Sequence, residues 1–272
     1  MDILEKIVAN KRVEVARQKE AVSLDFMLSS GQQRLNAPVH SMRQSLEASQ
    51  SGIIAEFKRR SPSKGWLHPR ARVEHIVPVY EKGGAAACSI LTDGEFFGGS
   101  LGDLRRARSL VELPLLRKDF IIDEYQLYQA RVMGADAVLL IAASLTARAC
   151  RNLAALAHQL DMEVLLEVHR EEELSHLNEH VDMLGVNNRN LGTFHTDVDN
   201  SFRLIKAIRD AAVDGAPLLV SESGISGADT VRRLRDAGFR GFLMGETFMK
   251  TEDPGETLSA FIGRLEKEGG IA

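Results

Sequence analysis

Cysteine is scarce in this sequence, with only Cys88 and Cys150 among 272 residues. Two cysteines are too few for a disulfide framework or for a metal cluster built from cysteine alone. Long apolar runs are missing as well, so no segment is predicted to span a bilayer, and residues 1–6 mix charged with apolar side chains, unlike a secretion signal. We therefore expect a cytoplasmic protein in a reducing compartment, with Cys88 as a small core residue.

Neither sign of charge is in large excess, since 34 basic and 38 acidic residues give a formal net charge of -4. This balance argues against general binding to nucleic acid or to an anionic membrane, so any anion site must be local. The eight histidines do not show the spacing of metal ligands. No Gly-x-Gly-x-x-Gly motif follows the first predicted strand, which weighs against a dinucleotide-binding fold.

What the sequence does contain is a regular alternation of short apolar runs and amphipathic stretches after residue 50. The runs lie at residues 53–57, 86–91, 113–116, 137–141, 164–167, 183–187, 218–221 and 241–244. Runs that are apolar on both faces and alternate with helices indicate a parallel sheet. Eight repeats within about 220 residues predict a closed (β/α)8 barrel, a TIM barrel, rather than an open doubly wound sheet.

The region before the barrel is predicted to be helical. Apolar residues recur at helical spacing near the start of the chain, at Ile3, Leu4, Ile7 and Val8. We predict a helix over residues 2–20, a second short helix over 24–28 and a connection over 29–38. Residues 1–47 would then form an N-terminal helical extension packed on a single catalytic barrel of residues 48–272.

Polar residues occupy six of the eight predicted strand ends, where barrel active sites lie. From the first strand to the eighth they are Glu56 and Lys58, then Lys118, Glu167, Asn187 and Arg189, Glu222 and Ser223, and Gly245 and Glu246. Residues two apart in a strand share a face, so Glu56 and Lys58 are expected to point together into the barrel mouth. Opposite charges placed there suggest acid–base chemistry on a charged substrate.

Several of these residues have a purely structural alternative. Lys118 adjoins Asp119 and could form a surface ion pair, which contributes little to stability. Glu167 could be a structural carboxylate, and the asparagines after the sixth run suit turns without any function. Arg189 is the stronger candidate, because a guanidinium suits anion recognition. His169, just past the fifth strand, is expected to be structural.

Two glycine-bearing segments, residues 221–225 and 244–246, indicate a phosphate site. Barrel phosphate sites commonly use the loops after the seventh and eighth strands, where glycine lets backbone N–H groups approach the anion. Ser63, in the loop after the first strand, could add a hydroxyl. The alternative is that Gly224 and Gly245 serve only as turn residues.

Taken together, these segments resemble the indole-3-glycerol phosphate synthase family. The matching stretches are AEFKRRSPS at 55–63, LTD at 91–93, FFGGS at 96–100, LRKDFI at 116–121, LEV at 166–168, GVNNRNL at 185–191, SESGI at 221–225 and MGE at 244–246. They run through the whole chain in the family's order. One departure follows Gly65, where the family usually has an acidic stretch containing an aromatic residue and this chain has Trp66 to Arg70.

The resemblance implies a lyase of tryptophan biosynthesis that closes, decarboxylates and dehydrates 1-(2-carboxyphenylamino)-1-deoxyribulose 5-phosphate to indole-3-glycerol phosphate. Lys118 would be the general acid that protonates the keto oxygen. Glu167 would stabilise the cationic intermediate and take part in the dehydration. Lys58 would hold the substrate carboxylate and could act as a second acid, and Glu56 would orient the two lysines or accept a proton.

The resemblance also implies the binding residues. Asn187 and Arg189 would position the anthranilate part, Phe120 and Leu191 would pack against its ring, and Glu222 would support Lys118 or close a network beneath it. The phosphate or ribulose chain would be surrounded by Ser63, Ser223, Gly224, Gly245 and Glu246, with Glu246 acting through its backbone N–H or through contacts to substrate hydroxyls because its carboxylate would repel phosphate. No metal or organic cofactor is implied, the only partner is the small phosphorylated substrate, and a monomer is favoured.

Three other functions fit a phosphate-binding barrel. Phosphoribosylanthranilate isomerase uses a cysteine base and an aspartate acid, whereas the first strand here ends in Glu56 and Lys58 with no cysteine nearby. A Schiff-base aldolase would use Lys118 as its nucleophile. A sensor that only binds a phosphorylated metabolite would be expected to lack one of the catalytic residues, and each expected position is occupied.

Overall fold

Eight parallel strands close into a barrel in the computed structural model, which describes residues 3–190, 195–211 and 216–269. The strands are β1 Ile53–Phe57, β2 Ala87–Leu91, β3 Leu115–Lys118, β4 Ala137–Ile141, β5 Glu163–Val168, β6 Met183–Asn187, β7 Leu218–Glu222 and β8 Gly241–Met244. Each strand pairs with its neighbours in chain order, and β8 pairs back onto β1. The predicted (β/α)8 fold is confirmed.

Helices precede the barrel and surround it. The N-terminal ones are α1 Ile3–Ala21, α2 Leu24–Ser30, α3 Gln32–Leu35 and α4 Met42–Ala48. Those of the barrel are α5 Val73–Lys82, α6 Leu101–Arg108, α7 Glu124–Met133, α8 Ala147–Gln159, α9 Asp199–Ala211, α10 Ala228–Ala237, α11 Glu246–Met249 and α12 Pro254–Gly269. The connection from β5 to β6 carries a 3₁₀-helix, Glu171–His176, where the predicted repeat has an α-helix. No helix within the three described ranges has the length and apolarity of a membrane span.

The first two predicted helices are confirmed, but the predicted connection over residues 29–38 is wrong in part. The second helix continues to Ser30, and α3 occupies Gln32–Leu35. The short helix α4 was not predicted at all. Its start is fixed by the Ser41 hydroxyl, which accepts a hydrogen bond from the Gln44 N–H. Helices of four to seven residues are too short to show a reliable apolar period.

The barrel interior and the layer between strands and helices are two separate apolar clusters. Inward-facing side chains such as Ile54, Leu116, Leu165 and Val220 fill the interior. The larger cluster lies outside the strands, where alternate residues such as Cys88 pack against the helices. This alternation follows from the period of two in a strand, and at the C-terminal ends it gives way to charged side chains.

The N-terminal helices cover both ends of the barrel. At the lower end, the Ser45 hydroxyl donates a hydrogen bond of 2.6 Å to the Ala86 carbonyl, and Leu46 packs in the interior cluster. At the upper end, Leu4 and Ile7 of α1 pack with Phe120 and other interior residues. The extension therefore lies across the edge where the strand ends meet.

Candidate active site

A cavity of about 560 Å³ opens at the C-terminal ends of the strands, beneath α1. The predicted site residues that line it are Glu56, Lys58, Ser63, Lys118, Phe120, Glu167, Asn187, Arg189, Ser223, Gly224, Gly245 and Glu246. Glu222 is buried directly behind this lining, in contact with Lys118. The predicted contact of Leu191 with substrate falls outside the described residues.

Lys118, the last residue of β3, extends into the cavity and lies between two glutamates. Its Nζ is 2.7 Å from Glu222 Oε2 and 3.3 Å from Glu167 Oε2. The alternative of a surface pair with Asp119 is wrong, because Lys118 pairs with these two glutamates and Asp119 pairs with Arg117 at 2.9 Å. Burial opposes the charged form of Lys118, but the carboxylates of Glu222, Glu167 and Glu56 outweigh it and raise the pKa of the ammonium.

Lys58 and Glu56 are in contact at the end of β1, as their common face allows. The Glu56 carboxyl is almost fully buried. Burial alone would raise its pKa, yet Lys58 and then Lys118 lower it below the usual value. Glu56 is therefore an anion that connects the two lysines electrostatically.

Glu167 and Glu222 share Lys118, but their carboxyl pKa values are shifted in opposite directions. Burial raises the pKa of both, and Lys118 followed by His169 reverses this effect for Glu167, whose pKa is lowered. For Glu222, burial and the neighbouring Glu167 prevail over Lys118 and raise the pKa to about 7. The surroundings of Glu167 thus favour its anionic form, while Glu222 can take up a proton near neutral pH.

His169, which was expected to be structural, contacts a glutamate of the cavity. Its Nε2 is 3.5 Å from Glu167 Oε1, and its Nδ1 is 3.6 Å from Glu173 Oε2. The two carboxylates raise the pKa of the buried imidazole despite the opposing effect of burial. His169 therefore lies directly behind Glu167, and the two carboxylates favour its protonated form.

Arg189 connects the loops after β6, β1 and β8. Its Nη1 donates to Ser63 Oγ at 2.9 Å, and its Nη2 is 3.4 Å from Glu246 Oε2. Its backbone N–H donates to Asn187 Oδ1 at 3.0 Å. The guanidinium is therefore held at the same rim as the glycine-bearing loops.

Those loops have the conformations that their sequences suggest. Ser223 and Gly224 have φ values of 68° and 77°, in the left-handed region that glycine adopts without strain. Gly245 lies at the start of α11, where the first N–H groups of a helix have no intrahelical partner. Anions bind to such N–H groups, so both loops could hold a phosphate.

Sequence reasoning missed the contribution of α1. Leu4 and Ile7 line the cavity, and the fully buried Lys11 pairs with the aspartates that follow β2 and β3. The signal was available, since Lys11 lies on the apolar face of a helix four residues after Ile7. Among the residues that the structure describes, no group of His, Cys, Asp or Glu side chains is arranged to hold a metal ion.

The fold and the cavity define a (β/α)8 barrel with buried, paired lysines and glutamates at its strand ends. The model of the family described as indole-3-glycerol phosphate synthase matches residues 4–261. An indole-3-glycerol phosphate synthase of Bacteroides thetaiotaomicron is 60% identical over 265 residues, covering 97% of this chain and 99% of that protein. One from Neisseria gonorrhoeae is 46% identical over 269 residues, with 97% and 99% covered. The chain belongs to the indole-3-glycerol phosphate synthase family.

Solved structures support the fold independently. A mutant tryptophan synthase alpha-subunit from Pyrococcus furiosus superposes with a TM-score of 0.60 at 12% identity, covering 80% of this chain and 98% of that one. At this identity the likeness concerns the barrel alone.

Proposed function

We propose that this protein is a carboxy-lyase that converts 1-(2-carboxyphenylamino)-1-deoxyribulose 5-phosphate to indole-3-glycerol phosphate, carbon dioxide and water in tryptophan biosynthesis. Family membership supports the overall reaction. The observation that carries the mechanism is the position of Lys118, a buried ammonium inside the cavity between Glu167 and Glu222.

In the first step, the aromatic carbon that bears the carboxylate attacks the keto carbon, and Lys118 donates a proton to the keto oxygen. The carboxylates around Lys118 favour its protonated form, so a proton is available at the start of each turnover. The new carbon–carbon bond leaves a cationic, non-aromatic ring, and Glu167, which lines the cavity 3.3 Å from Lys118, is the carboxylate that would stabilise it.

In the second step, the bond to the carboxylate breaks, carbon dioxide leaves and the ring becomes aromatic again. The hydroxyl formed from the keto oxygen then leaves as water, with Glu167 taking part in the proton transfer. Lys58 would hold the substrate carboxylate before it is lost, since it lies at the same rim and has Glu56 to orient it. Carboxylate recognition by a lysine ammonium is a charge-assisted contact.

The remaining residues would bind the two ends of the substrate. Arg189 and Asn187 would position the anthranilate part against Phe120, and the loops carrying Ser63, Ser223, Gly224, Gly245 and Glu246 would surround the phosphate or the ribulose chain. The pairing of Arg189 with the Glu246 carboxylate supports a role for the Glu246 backbone N–H, because the guanidinium offsets the negative charge beside the phosphate. The contact of Leu191 with the ring remains a proposal.

The geometry disfavours the isomerase alternative. The cysteine nearest to the first strand in space, Cys88, is fully buried, belongs to the cluster outside the strands, and its thiol pKa is raised by burial. It cannot act as a base in the cavity, because a base there must reach the substrate as a thiolate.

The test is Lys118→Met, assayed with synthesised substrate by the fluorescence of the indole product. We expect turnover to fall by about 10²-fold or more, because a positioned acid contributes this much, with an unchanged circular dichroism spectrum. Lys82→Met, at an exposed position on α5, is the matched control and should keep normal turnover. Near-normal turnover of the Lys118 variant would exclude Lys118 as the acid.

We further propose a cytoplasmic, monomeric protein in which residues 1–47 form an extension of the catalytic barrel of residues 48–272. Two free, buried cysteines support a reducing compartment. The contacts of α1 and α4 with the barrel interior support treating the extension and the barrel as one domain.

A further inference from the structure

Two glycines face the barrel interior close to buried carboxylates. Gly185 lies within β6, and Gly245 directly follows β8. Gly185 lies in a regular strand without a left-handed backbone, so other residues could adopt its conformation, whereas Gly245 has a φ of -122° and a ψ of -58°. Glycine weakens a strand, and in a strand interior it often marks a close approach by another group.

At both positions the space of the missing side chain is occupied by a buried carboxylate. A β-carbon on Gly185 would lie 2.1 Å from Oε1 of Glu222 and 3.2 Å from its Cδ. A β-carbon on Gly245 would lie 2.2 Å from Oε1 of Glu56. Each of these glutamates contacts a lysine of the cavity, Glu222 with Lys118 and Glu56 with Lys58.

Glu222 is the more informative case because its carboxylate has little else to hold it. Its Oε2 accepts the hydrogen bond from Lys118, whereas its buried Oε1 has no hydrogen-bond partner among the described residues. Gly185 is paired in register with Glu167 on β5, so it lies between the two strands whose glutamates share Lys118. Packing rather than hydrogen bonding therefore positions Oε1, which occupies the space that a β-carbon on residue 185 would fill.

We propose that Gly185 is a positioning residue for the reaction, whose missing β-carbon provides the space that lets Glu222 reach Lys118. The inference rests on the proposed function and deepens it by naming what orients the acid from beneath. With any larger residue at 185, the Glu222 carboxylate must move by more than about 1 Å to restore ordinary contact distances. Such a shift breaks the 2.7 Å hydrogen bond to Lys118.

The test is a double-mutant cycle with Gly185→Ala and Glu222→Ala. Gly185→Ala alone should lower kcat by about 100-fold, as misplacing a catalytic group by about 1 Å can do. KM should change little, because Glu222 lies behind the cavity lining. The pH dependence of kcat should change in the same way as in Glu222→Ala. In the Glu222→Ala background, adding Gly185→Ala should lower kcat by less than about twofold, because the carboxylate that the new β-carbon would displace is already absent.

Gly241→Ala is the matched control for adding a methyl group to the barrel interior. Its β-carbon would lie 2.8 Å from Val220 Cγ2 and 3.3 Å from Leu46 Cδ1, at the lower end of the barrel. This variant should be less stable but should keep the normal kcat and pH profile. Should Gly185→Ala fail to fold, the double variant should fold again, since it lacks the conflicting carboxylate.

Several results would overturn the proposal. One is a normal kcat for Gly185→Ala, and another is an equal loss of kcat when Gly185→Ala is added to the wild type and to Glu222→Ala. A third is a double variant that fails to fold as Gly185→Ala does. A crystal structure of Gly185→Ala provides a test that needs no activity, and it should show the Glu222 carboxylate displaced from Lys118. Unmoved Glu222 would contradict the role of Gly185, whereas an inactive wild-type protein would contradict the proposed function instead.

Discussion

Lys11 offers the sharpest test of how the N-terminal helix is held on the barrel. Its ammonium is fully buried and lies 2.9 Å from Asp119 Oδ1, 3.0 Å from Asp93 Oδ2 and 2.8 Å from Glu14 Oε2. Replacement by methionine keeps most of the apolar stem and removes the charge. We predict that Lys11→Met is strongly destabilised but still folds.

The magnitude follows from what each carboxylate retains. Asp119 keeps Arg117 at 2.9 Å and the Thr92 hydroxyl at 2.5 Å. Asp93 keeps the Phe96 N–H at 2.8 Å through one oxygen, while its other oxygen loses its only cation among the described residues. Removing one partner of a buried ion pair costs about 3–5 kcal/mol, so we expect a loss in that range, mostly from Asp93. The double variant with Asp93→Asn should recover part of it.

The pH dependence provides an internal check. Burial would raise the pKa of Asp119, but Arg117 and then Lys11 lower it from 3.8 to about 2. A lowered folded-state pKa contributes stability that is present above the unfolded-state value and is lost as the pH falls through the folded-state value. This contribution is on the order of 2 kcal/mol for Asp119. In Lys11→Met one of the cations beside Asp119 is gone, so the pKa of Asp119 is lowered less. The difference in free energy of unfolding between wild type and variant should therefore become smaller as the pH falls from about 4 to about 2.

Urea unfolding followed by far-ultraviolet circular dichroism measures these differences. Arg12→Met, the exposed neighbour on the same helix, is the matched control and should change stability by less than about 0.5 kcal/mol. A loss of less than about 1 kcal/mol in the free energy of unfolding of Lys11→Met would refute the reasoning. So would a difference between wild type and variant that stays the same as the pH falls.

Two further predictions concern Glu222 and the contact between Gly98 and Trp66. Because burial and Glu167 raise the pKa of Glu222 from 4.5 to about 7, stability should fall as the pH rises through this interval. Glu222→Gln, which stays neutral, should lose that slope in urea unfolding, and an unchanged slope would contradict the assignment. A β-carbon on Gly98 (φ +66°) would lie 2.9 Å from Trp66 Cζ3, so Gly98→Ala should displace the ring and shift the emission of the single tryptophan. Gly102→Ala, whose nearest neighbour would be Ser100 Oγ at 3.5 Å, should leave the emission unchanged.

The barrel could be predicted because its strands are apolar on both faces. The bounds of β1, β4, β6 and β8 match the predicted runs. The third strand was predicted two residues too early, at 113–116 rather than Leu115–Lys118. This strand ends in Arg117 and Lys118, whose charges are paired with carboxylates inside the protein. The apolar run in the sequence therefore ends two residues before the strand.

The composition of the site could be predicted, but its pairings could not. The strand-end rule places Lys118, Glu167 and Glu222 at one rim, because parallel strands end at the same edge. It does not say which of them touch. Lys118 and Glu222 are 104 positions apart in sequence, and their contact depends on barrel closure and on the space over Gly185. The same limit hid Lys11, whose partners Asp93 and Asp119 follow two different strands.

The N-terminal helix also determines the electrostatic environment of the cavity. Ion pairs exposed to water are weak, whereas the same charges interact more strongly where water is excluded. Lys118 is only 15% exposed beneath the apolar side chains that α1 contributes to the cavity. Lys11 holds that helix to Asp119, the residue next to Lys118. A segment outside the barrel repeat therefore keeps water from the strand-end lysine and glutamates, which strengthens their interactions.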